Sequence, residues 1–234
     1  MFEQKIREEA ASLGIAVDER QAELMAKHWQ MVTEVNKRFN LTAIDSEPEA
    51  VTKHYVDSLL PLSFLPQTGQ ALDIGSGAGY PGIPLAIMSP HLQWTLLDSS
   101  QKRCAFLQQT ADQLDLPQIS VLCARAERAA HEPWLRQTFS VVMARAVSAL
   151  PVLLEYALPF LAKGGIFMAM KGPGLQEELD KSQSALELLG GRLQEIYRYN
   201  LSGGEKRSIA LICKEADCPE KYPRREGKPE KAPL

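Results

Sequence analysis

Ala71-Leu72-Asp73-Ile74-Gly75-Ser76-Gly77-Ala78-Gly79-Tyr80-Pro81-Gly82 is the stretch whose reading decides the fold. A short apolar strand runs into alternating glycines, and a helical pattern follows in Ile83, Leu85, Ala86 and Ile87. A chain that turns this sharply needs residues without Cβ. The same lack of side chain lets backbone N–H groups come close to a bound small molecule. Gly77, Gly79 and Gly82 also satisfy G-x-G-x-x-G, the dinucleotide fingerprint. The loop alone therefore leaves S-adenosylmethionine and NAD open, with an ordinary tight turn as the plain alternative.

Downstream, strand-like runs at 70–74, 93–97, 119–122, 139–144 and 165–170 alternate with helical runs at 82–88, 101–114, 126–131 and 149–162. This rhythm predicts a doubly wound parallel α/β sheet. A further helix, 174–189, stops at Gly190-Gly191, and strands 192–200 and 206–213 are joined through Ser202-Gly203-Gly204-Glu205. A short glycine turn makes a hairpin, so the last strand runs antiparallel. That is the Rossmann-like, seven-stranded layout of class I S-adenosylmethionine-dependent methyltransferases. A nicotinamide enzyme would more often carry a separate substrate domain, and few residues follow the hairpin. Upstream, helices are expected at 2–13, 19–39 (with Asp18 as N-cap) and 48–64. The expected organisation is an N-terminal helical subdomain (1–66), a methyltransferase domain (67–213) and a basic, Pro-rich, mostly unstructured tail (214–234).

Composition sets bounds. The chain has 234 residues, 45% hydrophobic and 24% charged, with a net charge of −3; one substantial core fits this. No apolar run reaches the roughly 18–20 residues that span a bilayer, and the N-terminus lacks a signal-peptide core, so a cytoplasmic protein is expected. Four separated cysteines and four scattered histidines suggest reduced thiols and no metal site. The overall charge does not advertise nucleic-acid binding, so any contact with an anionic polymer must use a local basic patch. Residues 219–234, with five basic and three acidic side chains, are one candidate.

Candidate site residues lie at strand ends, where open α/β sheets bind ligands. Asp98 closes the second strand and is placed to accept from both ribose hydroxyls of an adenosine; as a plain alternative it caps the following helix. Ala126 and Glu127 follow the third strand, where backbone groups can read an adenine edge. Arg145 ends the apolar fourth strand and needs either a ligand or a salt bridge to an acid of the front helices. No [D/N/S]-P-P-[Y/F] motif, no Pro-Cys pair and no Tyr-x-x-x-Lys pair occurs. Those absences favour a target that is already nucleophilic, such as guanine N7, whose lone pair needs no general base.

Three groups of residues carry a family resemblance. They are Asn40-Leu41-Thr42-Ala43-Ile44 with His54-Tyr55-Val56-Asp57-Ser58-Leu59; the glycine stretch with Arg125-Ala126-Glu127 and Ala144-Arg145-Ala146; and Tyr222-Pro223-Arg224-Arg225-Glu226-Gly227-Lys228-Pro229. Together they resemble the bacterial 16S ribosomal RNA (guanine-N7) methyltransferase family, RsmG (GidB), from the front helices to the tail. The resemblance implies S-adenosylmethionine-dependent methylation of N7 of guanine 527 in the 530 loop. It implies cofactor contacts at Gly75, Tyr80, Ala126, Glu127 and Arg145, beside Asp98 from the fold argument, with Arg145 also orienting the substrate. Lys37, Arg38, Asn40, His54, Lys171, Arg224 and Arg225 are the expected RNA-binding residues. The expected partner is 16S rRNA or the small ribosomal subunit, the expected state a monomer, with no obligate protein partner. An NAD-dependent oxidoreductase and a non-catalytic RNA-binding assembly factor are the alternatives.

Overall fold

The computed structural model describes residues 1–234. Its centre is β1 (Gln70–Ile74), which pairs in parallel with β2 (Gln93–Asp98) on one side and β4 (Phe139–Arg145) on the other. β3 (Ile119–Cys123) extends the sheet beyond β2, and β5 (Leu161–Lys171) extends it beyond β4. β6 (Gly191–Asn200) and β7 (Lys206–Lys214) form the terminal hairpin, and β7 inserts antiparallel between β5 and β6. The seven-stranded order is β3-β2-β1-β4-β5-β7-β6. The order reverses between β1 and β4, and that switch point is where ligands sit in this architecture.

Strand periodicity divides the core. Val141 and Met143 of β4, Met168 of β5 and Ile209 and Leu211 of β7 face one cluster; Val142, Ala144, Phe167, Ala169, Ala210 and Ile212 face the other. Side chains two apart share a face, so both faces need covering. α4 (Gly82–Met88) and α5 (Gln101–Gln113) cover the first face; α6 (Ala126–Ala129), α7 (Leu150–Ala157), α8 (Leu175–Asp180) and α9 (Gln183–Leu189) cover the second.

The front segment joins the first face. α1 (Phe2–Ser12) and α2 (Glu19–Asn36) contribute Phe2, Ile6, Met25 and Trp29 to the same cluster as the sheet. It thus shares one continuous core with the sheet and closes none of its own. Asp18 caps α2 as expected, in a reciprocal capping box with Gln21.

Three segments differ from their sequence reading. The expected helix 48–64 is a composite, α3: α-helical Glu47–Glu49, π-helical Ala50–Val56, α-helical Asp57–Leu59 and 3-10 Leu60–Phe64. The expected helix 174–189 breaks between α8 and α9, where the Ser182 hydroxyl turns back onto the Glu178 carbonyl at 2.6 Å. The tail is not unstructured: it packs along the second face, buries Tyr222 and Pro229, and ends with α10 (Lys228–Lys231). No helix is long and apolar enough to cross a membrane.

Candidate active site

The glycine stretch leaves β1 at Gly75, which sits at φ +71°, a conformation glycine adopts without a Cβ penalty. Its N–H donates to the Leu97 carbonyl at 2.7 Å, fixing the loop to the end of β2. Asp98 lies across the same gap. Its Oδ2 accepts from the Gly77 N–H at 3.0 Å and its Oδ1 from the Ser100 N–H at 2.9 Å. The Asp98 carboxylate therefore orders the loop as well as closing β2. Asp73 does the same from below: it is fully buried, and its Oδ2 accepts from the Gly82 N–H at 3.1 Å, while Oδ1 has no partner. Burial pushes the Asp73 carboxyl up to about 7.

These elements enclose a cavity of about 250 Å³ lined by Gly75, Asp98, Ala126, Glu127, Val147 and Tyr156, among others. Ala126 and Glu127 open α6, so their amides have no partner within that helix. A Cβ at Gly75 would stand 2.6 Å from Val147 Cγ2, and one at Gly82 2.4 Å from Leu96 Cδ2. The cavity thus combines a close backbone approach, a carboxylate at the end of β2 and open amides. Those are the features an adenosine needs: acceptors for ribose hydroxyls and backbone groups for the base edge.

A second cavity, about 360 Å³, adjoins the first and shares Ala146 with it. Ala146 is a non-glycine residue at φ +56°, a left-handed conformation that costs on the order of 1 kcal/mol and clusters at functional sites. Arg145 lines this second cavity with Lys53, His54, Asp57, Lys171 and Tyr199. One Arg145 nitrogen donates to the Asp57 carboxylate at 2.9 Å and to the Lys53 carbonyl at 2.9 Å. The Lys53 carbonyl lies in the π-helical part of α3, where bonding shifts to five residues: the Asp57 N–H takes the Thr52 carbonyl. Tyr199 donates to the other Asp57 oxygen at 2.8 Å, and burial with that carboxylate raises the phenol so that it keeps its proton. The salt bridge to an acid of the front helices, one of the two outcomes foreseen for Arg145, is present and its partner is Asp57. Arg145 does not line the first cavity.

Tyr80 does not line that cavity either. Its ring stacks on His54 (centroids 4.2 Å apart, planes 11°) with the Arg145 guanidinium 5.5 Å away, and its hydroxyl donates to Tyr55 at 3.0 Å. His54 shares a hydrogen bond with the Thr42 hydroxyl at 2.8 Å; burial and the Arg145 charge bring its imidazole down to about 3.

The remaining RNA candidates separate by position. Lys171 lines the second cavity but is paired with Glu178 at 2.7 Å. Lys37 and Arg38 are exposed, pair with Glu34 and line neither cavity. Asn40 is exposed; Asn36 does the ordering there, its Oδ1 accepting from Leu41 and Thr42 N–H groups. Arg225 is exposed. Arg224 is engaged within the chain: its guanidinium grips Glu155, which is fully buried, at 2.6 Å. A carboxylate that stays charged when buried needs a partner, and the tail supplies one to Glu155. No group of three or more His, Cys, Asp or Glu side chains is placed to hold a metal ion.

Sequence reasoning passed over His28, a lone histidine on an apolar helix face. It is fully buried. The Ala78 carbonyl, 2.9 Å from Nε2, can only accept, so Nε2 carries the proton and Nδ1 accepts from the Tyr55 hydroxyl at 3.1 Å. Tyr80 continues the chain into Tyr55. The front helices are thereby tied to the glycine loop. Burial brings His28 down to about 4. Its folded value lies below its unfolded one, so its stabilising effect is present above about pH 6.5 and is lost as pH falls toward 4. Asp73, raised to about 7, acts with the opposite sign in the same window and His54, brought down to about 3, with the same sign, so the wild type alone does not report His28. The stability difference between wild type and His28→Gln isolates it: the difference should shrink by about 2 kcal/mol between pH 7 and pH 5. Urea unfolding of both proteins at the two pH values checks this; an unchanged difference refutes it.

Comparison with known proteins completes the picture. The family described as "GidB: rRNA small subunit methyltransferase G" matches residues 21–209. The chain belongs to this family. Relatives named ribosomal RNA small subunit methyltransferase G are 43% identical in Acetivibrio thermocellus, over 97% of this chain and 94% of that one, and 44% identical in Desulfitobacterium hafniense, over 95% and 93%. Among solved structures, an O-methyltransferase from Bacillus cereus in complex with SAH superposes with a TM-score of 0.59 at 17% identity, covering 92% of this chain and 100% of that one. A 16S rRNA (adenine(1408)-N(1))-methyltransferase mutant from Catenulisporales acidiphilia gives 0.55 at 13% identity, over 63% of this chain and 86% of that one. At such identities the structural likeness concerns the fold. As a family member, the chain is a methyltransferase on the class I S-adenosylmethionine-dependent fold, and the cradle at Gly75, Asp98, Ala126 and Glu127 fits that cofactor.

Proposed function

We propose that this chain methylates N7 of guanine 527 in the 530 loop of 16S rRNA, with S-adenosylmethionine as methyl donor, and acts as a monomer. When bound, the cofactor supplies an activated methyl group on a sulfonium. Gly75, Asp98 and the first amides of α6 hold its adenosine end in the smaller cavity. The target base enters the larger one, beside Arg145.

The observation that carries this reading is the state of the two proton acceptors in the larger cavity. Asp57 is held by Arg145 and Tyr199, and His54 is brought down to about 3. Both Asp57 oxygens are thus occupied by donors, and His54 is too weak a base to hold a proton at neutral pH. A target that must lose a proton before attack is badly served by such a pocket. Guanine N7 attacks with an in-plane lone pair and loses none. Catalysis then rests on alignment, which a cavity adjoining that of the methyl donor provides. Around the same cavity Arg145, Lys53 and Lys171 are each paired with a carboxylate, which leaves Arg207 to meet an adjoining phosphate.

The test is transfer of labelled methyl from S-adenosylmethionine to isolated 16S rRNA and to small subunits, side by side. Label should appear in one of them as N7-methylguanine. No incorporation into either, by protein that binds the cofactor, rejects the assignment in favour of a non-catalytic RNA-binding role.

A further inference from the structure

Residues beyond β7 read from sequence as a loose basic tail for RNA, yet the structure fastens them along the cofactor side of the sheet. Arg136 donates to three tail carbonyls, those of Cys218, Pro219 and Tyr222. His131 bonds the Pro223 carbonyl at 2.8 Å, and Arg224 grips buried Glu155. The chain then reaches Gly227, whose N–H donates at 3.0 Å to Glu127 Oε1, the oxygen that also takes the Tyr156 hydroxyl at 3.3 Å. Glu127 and Tyr156 line the smaller cavity, and so does Glu230 of α10. The last turn of the chain is therefore part of that cavity's wall.

We infer that the segment from Gly227 onward belongs to the cofactor site, and that Glu230 is a cofactor-binding residue whose carboxylate accepts from the exocyclic amine of the bound adenine. The inference rests on the reading that the adenosine end occupies this cavity. The chemistry is complementary. An adenine edge offers one donor, the amine, and an acceptor ring nitrogen beside it. The open amides of α6 answer the ring nitrogen, and a carboxylate on the outer wall answers the amine. Glu127 is a positioning residue here: its side chain joins the α6 start, Tyr156 and the tail at a single oxygen, so tail docking and the geometry of the α6 amides are coupled. One of the tail's five cations, Arg224, is consumed in making this wall, while Lys221, Arg225, Lys228 and Lys231 stay exposed.

The experiment uses three variants of the full protein: truncation after Glu226, which keeps the Tyr222 and Arg224 anchors, Glu230→Ala, and Lys231→Ala as a control on a solvent-facing charge. Calorimetry measures S-adenosylhomocysteine and its inosine counterpart, in which the amine is replaced by a carbonyl oxygen. RNA affinity is measured at saturating S-adenosylhomocysteine. The truncation should weaken S-adenosylhomocysteine about tenfold or more, Glu230→Ala about three- to tenfold, and Lys231→Ala not at all. Wild type should prefer the adenine form, and Glu230→Ala should lose part of that preference, the rest lying with the ring nitrogen, which carries a hydrogen in the inosine form and faces an α6 amide. RNA affinity should stay within about twofold. If the truncated chain fails to fold, Glu230→Ala, an exposed substitution, still decides. Unchanged cofactor affinity and unchanged adenine preference, or a loss confined to RNA binding, overturns the inference. A wild type that binds neither nucleoside overturns the underlying placement and this inference with it.

Discussion

Arg145→Ala should lower the methylation rate at least about a hundredfold while leaving S-adenosylmethionine affinity within a few-fold. Arg145 lines the larger cavity and is absent from the lining of the smaller one. Loss of a preorganised charge beside the reacting centre typically costs a factor of about 10²–10³ in rate. The substitution has a structural consequence as well. Asp57, 5% exposed at its side chain, would keep only Tyr199, and breaking a buried pair costs about 3–5 kcal/mol. The double variant Arg145→Ala/Asp57→Ala separates the two effects. Removing the orphaned carboxylate should recover most of the stability, read by thermal melting, and none of the activity. Recovery of activity together with stability would mean that Arg145 is only a structural partner. Arg145→Lys should remain well below wild type, because an ammonium lacks the planar fork of the guanidinium.

Arg224→Ala should be the most destabilising single change in the tail, about 3–5 kcal/mol at neutral pH, which for a chain of this size is a fall in Tm of about 6–20 °C. It strips the partner from Glu155, which has no solvent exposure. Replacing the whole pair, Glu155→Leu with Arg224→Leu, should restore most of the loss, since apolar groups of similar volume often match a buried ion pair. Calorimetric melts of the three proteins check this. A single variant that melts with wild type while losing RNA affinity would return Arg224 to the RNA-binding set.

The contrast between these two arginines shows what the sequence carried. Parallel strands buried on both faces write themselves as apolar runs, and the glycine loop marks the end of β1 because only residues without Cβ make that turn. Gly203 and Gly204 between two strand patterns sufficed to reverse the last strand, which β7 confirms by pairing antiparallel with β5. Asp98 was legible from its place at a strand end. Partnership was not. Arg145 after an apolar run announced the need for a partner, but Asp57 lies 88 positions away, and only the packing of α3 against the sheet brings them together. The tail misled because its composition is that of a solvated segment, while its anchors, Arg136, Glu155 and His131, are scattered through the preceding domain. The π-helical turns of α3 are invisible to periodicity over so short a span, although they release the Lys53 carbonyl that Arg145 uses. His28 was one of four scattered histidines with no motif, because its meaning lies in a hydrogen bond to the glycine loop, 50 positions on.

On the proposed reading this chain places a methyl group on N7 of one guanine through a pocket without a free base. Mass mapping of 16S rRNA from a strain lacking the protein, and from that strain complemented with wild type or Arg145→Ala, tests it most directly. The methyl mass at guanine 527 should be absent in the deletion, restored by wild type and missing again with Arg145→Ala. An intact N7-methylguanine at that nucleotide in the deletion strain would contradict the account.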